Sequence, residues 1–497
     1  MTAGILQKTP CAATFWLGAF YFILLAFPCL AHSQTTRQTP YFSAESTTQQ
    51  HQLAEQTAAS VRNVFQPPSR FDKATKEDYL KKREKIATDI AAEIKNYAIA
   101  DDVIWPFLQK IHAKIVAANP TMKDTRVLLV ADPTPNAYCI GEGTFVVHVG
   151  LLAGLENEDQ VAFVLCHEMA HYAYQHATKG LETTVEQLNS KAFKAKIKEL
   201  EAKEYNRYEQ MEAVLKNMLF NSRYHSRNHE RQSDSLAYHF FVRTQFNHTQ
   251  AKRLMEVFEH IDEPLRDTVL DIKTNFGCTQ HPFQELWTTN ASGSVWDAAH
   301  EAQVQANKAF RDSVSTHPDW EERLLWLQPL VDKITPTPQP AEQPTIDYAT
   351  IRYLAAIESV ESWANFGRFD KVLFLATQYQ RVYPKGLYFQ EVKTLALYQL
   401  YQHAKDHDLA TVLAQSSYSR PEKYNHFLDF LNNLRMKELL ALAECSLTQL
   451  PNDKGEYGLL AAYQLAKAKE DRATANTTKK EYLSRFKNGR FVDYFKE

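Results

Sequence analysis

Residues 157–177, NEDQVAFVLCHEMAHYAYQHA, predict a buried α-helix that can serve as the centre of a domain. Asn157 is a favourable N-cap, and Gln160 lies three residues later, as in a capping box. The apolar run at 161–166 indicates that other elements surround the helix. We expect the helix to end at about residue 177, before Gly180.

The same helix carries the HExxH motif His167-Glu168-Met169-Ala170-His171. Two histidines four residues apart lie on one face of a helix, so both imidazoles can bind a single zinc ion. Glu168 stands beside them, where a carboxylate can hold a metal-bound water and accept its proton. Three polar side chains without a partner would be costly to bury in an apolar run, and a bound metal removes that cost. The motif therefore predicts a zinc site.

A third zinc ligand is expected on a later helix. Ala177 stands ten residues after the first histidine, so the three-histidine version of the motif is excluded. His176 misses that position by one residue, and we interpret it as a cap or dipole partner at the end of the helix. Glu230 is the candidate third ligand, and Asp234, one turn later, can hydrogen-bond a ligand imidazole. Two His and one Glu with an open fourth position are typical of a catalytic zinc site.

Charge and composition exclude some classes of partner. The 497 residues contain 56 Lys+Arg and 59 Asp+Glu, a net charge of −3. This balance provides no basic stripe, so we do not expect a nucleic-acid partner.

The N-terminus predicts export. Lys8 precedes an apolar stretch at 15–30, and Ala31-His32-Ser33 then places small residues at the −3 and −1 positions of a cleavage site. We interpret residues 1–33 as a signal peptide, with Gln34 as the mature start. The alternative is an uncleaved membrane anchor, because the apolar run is close to spanning length. Otherwise we expect any membrane association to be peripheral.

Composition and turn signals divide the rest of the chain. Residues 34–75 are rich in Gln, Thr and Ser and predict a flexible polar tether. One domain that contains the zinc motif is expected at 76–335, with a helical segment at 76–118 and a charged helical insertion at 181–219. Three short strands joined by turns predict a small antiparallel sheet; their ranges are 126–130, 136–140 and 144–149.

The C-terminal part of the sequence is helical throughout. Four prolines mark a linker at 336–345, and residues 346–497 follow it. Within that segment an apolar-proline pattern ending at Pro384 recurs 67 residues later at Pro451, with Pro421 between them. The mean step of about 34 residues is the tetratricopeptide period. We therefore predict tetratricopeptide-like helical repeats, with plain antiparallel helix packing as the alternative.

The cysteines of the mature chain do not form a recognisable framework. Cys139, Cys166, Cys278 and Cys445 lack any paired spacing, so neither a disulfide scaffold nor a cysteine zinc site is predicted. Cys166 lies in the apolar run and is expected to be a buried, small hydrophobic residue. The sequence does not tell which cysteines could pair.

The chain carries an ordered set of motifs: Asn136-Ala137-Tyr138, Gly141-x-Gly143, Gly150-Leu151-Leu152, Asn157-Glu158, HExxH, Ser226-Arg227-x-x-Glu230-x-x-x-Asp234, and Thr316-His317-Pro318 with Arg323. This set resembles the zinc metalloendopeptidases of the HtpX and CaaX-prenyl-endopeptidase kind, a gluzincin family. Ser233 stands where this family usually has Ala. The layout of signal peptide, peptidase domain and helical repeats resembles periplasmic proteases of the BepA kind.

The resemblance implies an α+β zincin-like metallopeptidase domain followed by an all-α tetratricopeptide-like domain. It implies one Zn²⁺ per chain, with Glu168 as general base. An edge strand would bind peptide by β-augmentation. His317 would donate a hydrogen bond to the oxyanion or occupy the fourth zinc position and keep the enzyme latent; a surface turn is the alternative. The implied zinc ligands are His167, His171 and Glu230, and the implied substrate-binding residues are Asn136, Ala137 and Tyr138.

These observations predict a periplasmic zinc endopeptidase that hydrolyses exported or envelope proteins in protein quality control. The helical repeats would select protein or peptide substrates or dock the enzyme to envelope assembly machinery. The alternative is a chaperone-like or scaffold binding protein with a latent or vestigial zinc site. The intact Glu168 favours the enzyme, because a binding protein has no use for that base. His225, His229 and His281 are expected to be bystanders.

Overall fold

The fold is mostly helical and contains one small sheet. The computed structural model describes residues 47–100, 103–201, 227–261, 270–288, 320–333, 347–417 and 420–496. Its helices are α1 (Thr47–Val64), α2 (Lys73–Tyr97), α3 (Ile104–Ala118), α4 (Val149–Gly154), α5 (Glu158–Ala173), α6 (His176–Asn189), α7 (Lys191–Glu201), α8 (227–241, the described part), α9 (Gln250–Phe258), α10 (Ile272–Asn275), α11 (Trp320–Lys333), α12 (Tyr348–Asn365), α13 (Phe369–Val382), α14 (Leu387–Lys405), α15 (Glu422–Asn433), α16 (Met436–Thr448), α17 (Glu456–Ala468), α18 (Arg472–Arg485) and α19 (Val492–Lys496).

The sheet is mixed, so the prediction of an antiparallel sheet is wrong. Its strands are β1 (Ala98–Ile99), β2 (Arg126–Val130), β3 (Ala137–Cys139) and β4 (Thr144–His148), in the spatial order β1-β2-β4-β3. β2 and β4 are parallel, while β1–β2 and β3–β4 are antiparallel. The turn signals located each chain reversal, but they could not show that β4 returns between β2 and β3.

The turn between β3 and β4 depends on two glycines. Gly141 and Gly143 have φ angles of 107° and 112°, which L side chains rarely adopt. This turn places β3 at the edge of the sheet, beside α5.

The N-terminal part of the described chain is ordered helix where we predicted a flexible tether up to residue 75. Its apolar side chains recur at 54, 58, 61 and 65, which is helical spacing, and all four are buried. Two of the four are alanines within a Gln- and Thr-rich composition, so composition concealed the stripe. α1 packs along α2. The predicted helical segment 76–118 is also divided, because residues 98–99 pair with β2 as β1.

α5 is the central helix of the sheet-containing part. The Asn157 side chain accepts a hydrogen bond from the Gln160 backbone N–H at 3.0 Å, as the predicted cap requires. Phe163 packs edge-on against Phe241 of α8, with 5.3 Å between ring centroids. The helix ends at Ala173 rather than at residue 177, because Gln175 adopts the left-handed conformation (φ 59°) and α6 begins at the next residue.

The C-terminal helices pack directly on the elements that lead into α5. Tyr348 Oη donates to the Leu152 carbonyl at 3.0 Å, and Arg352 Nε donates to the Ala153 carbonyl at 3.1 Å. Both carbonyls belong to α4, immediately before α5. A disulfide between Cys278 and Cys445 adds a covalent link that the sequence did not predict. The helical character of this region agrees with expectation, while the tetratricopeptide assignment stays a prediction.

Several predicted features lie wholly or partly outside the described residues: the signal peptide at 1–33, residues 34–46 of the tether, residues 202–219 of the insertion, His225, His317 and the whole proline-rich linker at 336–345. Within the described ranges, no helix is both long enough and apolar enough to cross a bilayer.

Candidate metal centre

Three side chains from two helices converge on one point. His167 and His171 come from α5 and Glu230 from α8. The two histidine Nε2 atoms are 3.0 Å apart. Glu230 Oε2 lies 3.3 Å from Nε2 of His167, and its Oε1 lies 3.3 Å from Nε2 of His171. The structure thus brings together the three candidate ligands that the sequence predicted, in a group that could hold one metal ion.

These separations fit one metal ion. Ligand atoms about 2.1 Å from a tetrahedral zinc ion lie about 3.4 Å from one another. If each imidazole carries its proton on Nδ1, two nitrogen lone pairs and a carboxylate face each other within this distance. Such an arrangement is repulsive unless a cation lies between the groups. Glu230 is 2% exposed, so water cannot relieve the repulsion from that side.

Asp234 holds the first ligand histidine from behind. It is fully buried, and its Oδ1 accepts a hydrogen bond from Nδ1 of His167 at 2.9 Å. Arg323 donates to both carboxylate oxygens, at 2.6 and 2.9 Å, and Trp326 Nε1 donates to Oδ2 at 2.8 Å. Burial alone raises the pKa of Asp234, but the Arg323 charge and these hydrogen bonds outweigh burial and hold the pKa well below its ordinary value. The carboxylate is therefore ionised and fixes Nε2 of His167 toward the metal position.

Glu168 faces a cavity beside the three ligands. The cavity has a volume of about 330 Å³ and is bounded by β3 on one side and by His171 and Glu230 on the other. The Glu168 side chain is buried, and burial raises the pKa of its carboxyl group. A carboxylate in this position can take a proton from a water in the cavity.

β3 presents backbone groups to the same cavity. His148 N–H donates to the Asn136 carbonyl at 3.0 Å, and Ile140 N–H donates to the Thr144 carbonyl at 3.0 Å. Because hydrogen-bonded pairs alternate along an antiparallel ladder, the N–H and C=O groups of Ala137 and Cys139 point away from β4. Among the described residues no strand pairs with this outer edge.

Of the predicted substrate residues, Asn136, Ala137 and Tyr138 all border the cavity. The Tyr138 hydroxyl is already engaged, since it donates to Glu93 Oε2 on α2 at 2.7 Å. Its backbone N–H and C=O face β4, so neither they nor the hydroxyl are open to the cavity.

Two histidines that we expected to play minor roles lie at the centre. His176 is not a helix-end cap: its Nδ1 lies 3.0 Å from Nδ1 of His171. Burial lowers the pKa of His176 to about 3, so this imidazole is neutral near pH 7. His229, which we expected to be a bystander, stacks its ring on His176 with 4.1 Å between centroids and borders the same cavity. The spacing of five residues between His171 and His176 gave no signal, since an unbroken helix would carry the two side chains apart.

Comparisons with known proteins agree with this geometry. The family model of Peptidase family M48 matches residues 107–330, which include all three ligands. Stretches of the chain are similar to two proteins named mitochondrial metalloendopeptidase OMA1. The protein from Arabidopsis thaliana is 38% identical over 55 residues, 11% of each chain. The protein from Schizosaccharomyces pombe is 31% identical over 80 residues, 16% of this chain and 23% of that protein.

A third relative is a putative beta-barrel assembly-enhancing protease from Vibrio cholerae. It is 26% identical over 85 residues, 17% of this chain and 18% of that protein. The chain thus spans less than a quarter of the length of these relatives. The comparisons support a metalloprotease domain of family M48 within the chain.

The Asp234–Arg323 pair yields a stability prediction. Asp234→Asn leaves the buried guanidinium without its counter-charge, and we expect the free energy of unfolding of the zinc-free protein to fall by about 3–5 kcal/mol. Chemical denaturation measures the change. Glu322→Gln is the control: it removes an exposed ion pair between Glu322 of α11 and Arg227 of α8, and it should cost less than about 1 kcal/mol.

The same pair predicts a pH dependence. The pKa of Asp234 is lower in the folded than in the unfolded chain. The ionised carboxylate therefore makes its full contribution to the free energy of unfolding above the ordinary carboxyl pKa. That contribution is lost as pH falls through the lowered value. The stability difference between wild type and Asp234→Asn should therefore shrink on acidification, and a difference that grows would contradict this account.

Proposed function

We propose that this chain is a zinc-dependent endopeptidase whose M48 domain hydrolyses peptide bonds in protein substrates. The carrying observation is the convergence of two imidazole nitrogens and one carboxylate within 3.3 Å, beside a buried glutamate and an open strand edge. His167, His171 and Glu230 would hold the ion. Two His and one Glu leave a fourth position for water or substrate, as in catalytic sites.

The chain's own groups supply the remaining chemistry. Bound zinc would polarise both water and the scissile carbonyl. Glu168 accepts the proton of the attacking water and then donates it to the leaving amine. Its burial favours this exchange, because a raised pKa brings a carboxyl group closer to neutral pH. Asp234 and Arg323 do not contact substrate; they keep His167 in place.

Glu168→Gln tests this mechanism. We expect cleavage of casein to fall at least about 100-fold, the usual scale of a lost general base, while zinc content stays at one ion per chain. Glu158→Gln, the same substitution at the start of α5, is the matched control and should cleave normally. Undiminished proteolysis in Glu168→Gln would overturn the proposal. Wild type that binds zinc but cleaves nothing would favour the scaffold alternative.

The substrate backbone would pair with β3. An extended peptide added to the open edge can hydrogen-bond to the outward groups of Ala137 and Cys139, which places its scissile bond beside Glu168. Recognition through the backbone tolerates many sequences, which suits an enzyme with diverse protein substrates.

Ala137→Pro removes one outward N–H without breaking the β3–β4 ladder. Loss of one backbone hydrogen bond costs about 0.5–1.5 kcal/mol, so we expect kcat/KM to fall roughly 2- to 10-fold with little change in stability. Ala137→Gly keeps the N–H and serves as the control. Equal kcat/KM values for a folded proline variant and for wild type would contradict a role of β3 in substrate binding.

Exported or envelope proteins are the substrates we propose, within protein quality control. The predicted signal at 1–33 supports export, and the disulfide between Cys278 and Cys445 suits an oxidising compartment. One relative is named a putative beta-barrel assembly-enhancing protease. By analogy, the helices at 347–496 would dock envelope assembly machinery or select clients.

Export has a direct test. Expressed in a Gram-negative host, the protein should accumulate in the periplasm with Gln34 as its first residue, as N-terminal sequencing would show. Ala31→Arg at the −3 position should block cleavage. Full-length wild type in the membrane fraction would establish the anchored alternative.

A further inference from the structure

The junction between α5 and α6 turns a histidine back toward the metal centre. α5 ends at Ala173, and Gln175 takes a left-handed conformation with φ 59°. Such a conformation is uncommon for a residue other than glycine and marks a constrained position. Its result is that His176 points back at His171, with the two Nδ1 atoms 3.0 Å apart.

This contact provides a hydrogen-bond acceptor for the Nδ1–H of His171. To offer the Nε2 lone pair to a metal, a neutral imidazole must carry its proton on Nδ1, and that N–H requires an acceptor. For His167 the acceptor is the Asp234 carboxylate. For His171 the atom at hydrogen-bonding distance is Nδ1 of His176, which accepts when its own proton is on Nε2.

The imidazole of His176 stacks with two other aromatic rings. Its centroid lies 5.4 Å from that of Tyr174 and 4.1 Å from that of His229, and the ring planes of each pair are inclined by 17°. Ser233 Oγ lies 3.4 Å from the same Nδ1. His229 and Ser233 each directly precede a residue of the metal centre, Glu230 and Asp234. The stack therefore links the end of α5 to the helix that supplies the third ligand.

We propose that His176 is a positioning residue that fixes the tautomer and ring orientation of His171, and that His229 and Tyr174 hold it in this role. The inference rests on the proposed zinc site. It assigns the two ligand histidines different supports: a charged carboxylate for His167 and a neutral imidazole for His171. His171 is also the more exposed ligand, at 17% against 5% for the side chain of His167.

A pair of substitutions separates positioning from packing. His176→Phe keeps an aromatic ring beside Tyr174 and His229 but removes the acceptor. His176→Asn loses the ring but can place its amide oxygen near the position of Nδ1. Loss of such an outer partner typically costs 10- to 100-fold in metal affinity, so we expect His176→Phe to bind zinc about 10- to 100-fold more weakly and His176→Asn to recover most of that loss.

The zinc dissociation constant of the full chain, measured by competition with a chromophoric chelator, is the readout. Denaturation of the zinc-free proteins runs in parallel, and His239→Phe, an exposed position on α8, is the matched control. Wild-type zinc affinity in a folded His176→Phe variant would overturn the proposal. Weak zinc binding in both variants, together with a lower stability of both zinc-free proteins, would also overturn it, because that pattern indicates that His176 acts through packing. Wild type that binds no zinc would instead overturn the proposed function itself.

Discussion

The buried carboxylate of Asp234 is the contact on which the rest of the metal centre depends. An ionised carboxylate without water is stable in a protein interior only if nearly all of its acceptor capacity is used. Asp234 meets this condition with donors from His167, Arg323 and Trp326. These donors belong to α5 and α11, while Asp234 belongs to α8. Satisfying one charge therefore fixes three helices that are distant in sequence, and ligand geometry and helix packing cannot vary independently.

The two ligand histidines connect the site to the rest of the molecule in different ways. His167 is held by the fully buried Asp234, which is itself fixed by Arg323 of α11. His171 is held at the end of α5, where the chain turns into α6 and the cavity opens. The inner half of the site is thus tied to the core, and the outer half to a short stack of aromatic rings. A change in α6, which begins at His176, would reach the outer half first.

The spacing of residues within single helices predicted much of the site. His167 and His171, and likewise Glu230 and Asp234, are four residues apart, so helical periodicity alone placed each pair on one face. What the sequence could not show depends on geometry between elements. His176 approaches His171 because Gln175 adopts a left-handed conformation, and glutamine is not a residue type that predicts such a conformation. The parallel pairing of β2 with β4 depends on which strands become neighbours, and turn signals do not encode that. The helix at Thr47–Val64 was missed because two of the four residues in its buried stripe are alanines and the surrounding sequence is polar.

The disulfide between Cys278 and Cys445 has a consequence for the protease that we propose. It closes a stretch of 167 residues that includes α11 and the first C-terminal helices. A single backbone cut inside this stretch, whether by another molecule of the same protein or by a foreign protease, leaves both fragments covalently joined. Self-digestion there would not release the helical region, and the nicked molecule would migrate as one species until a reductant separated its parts.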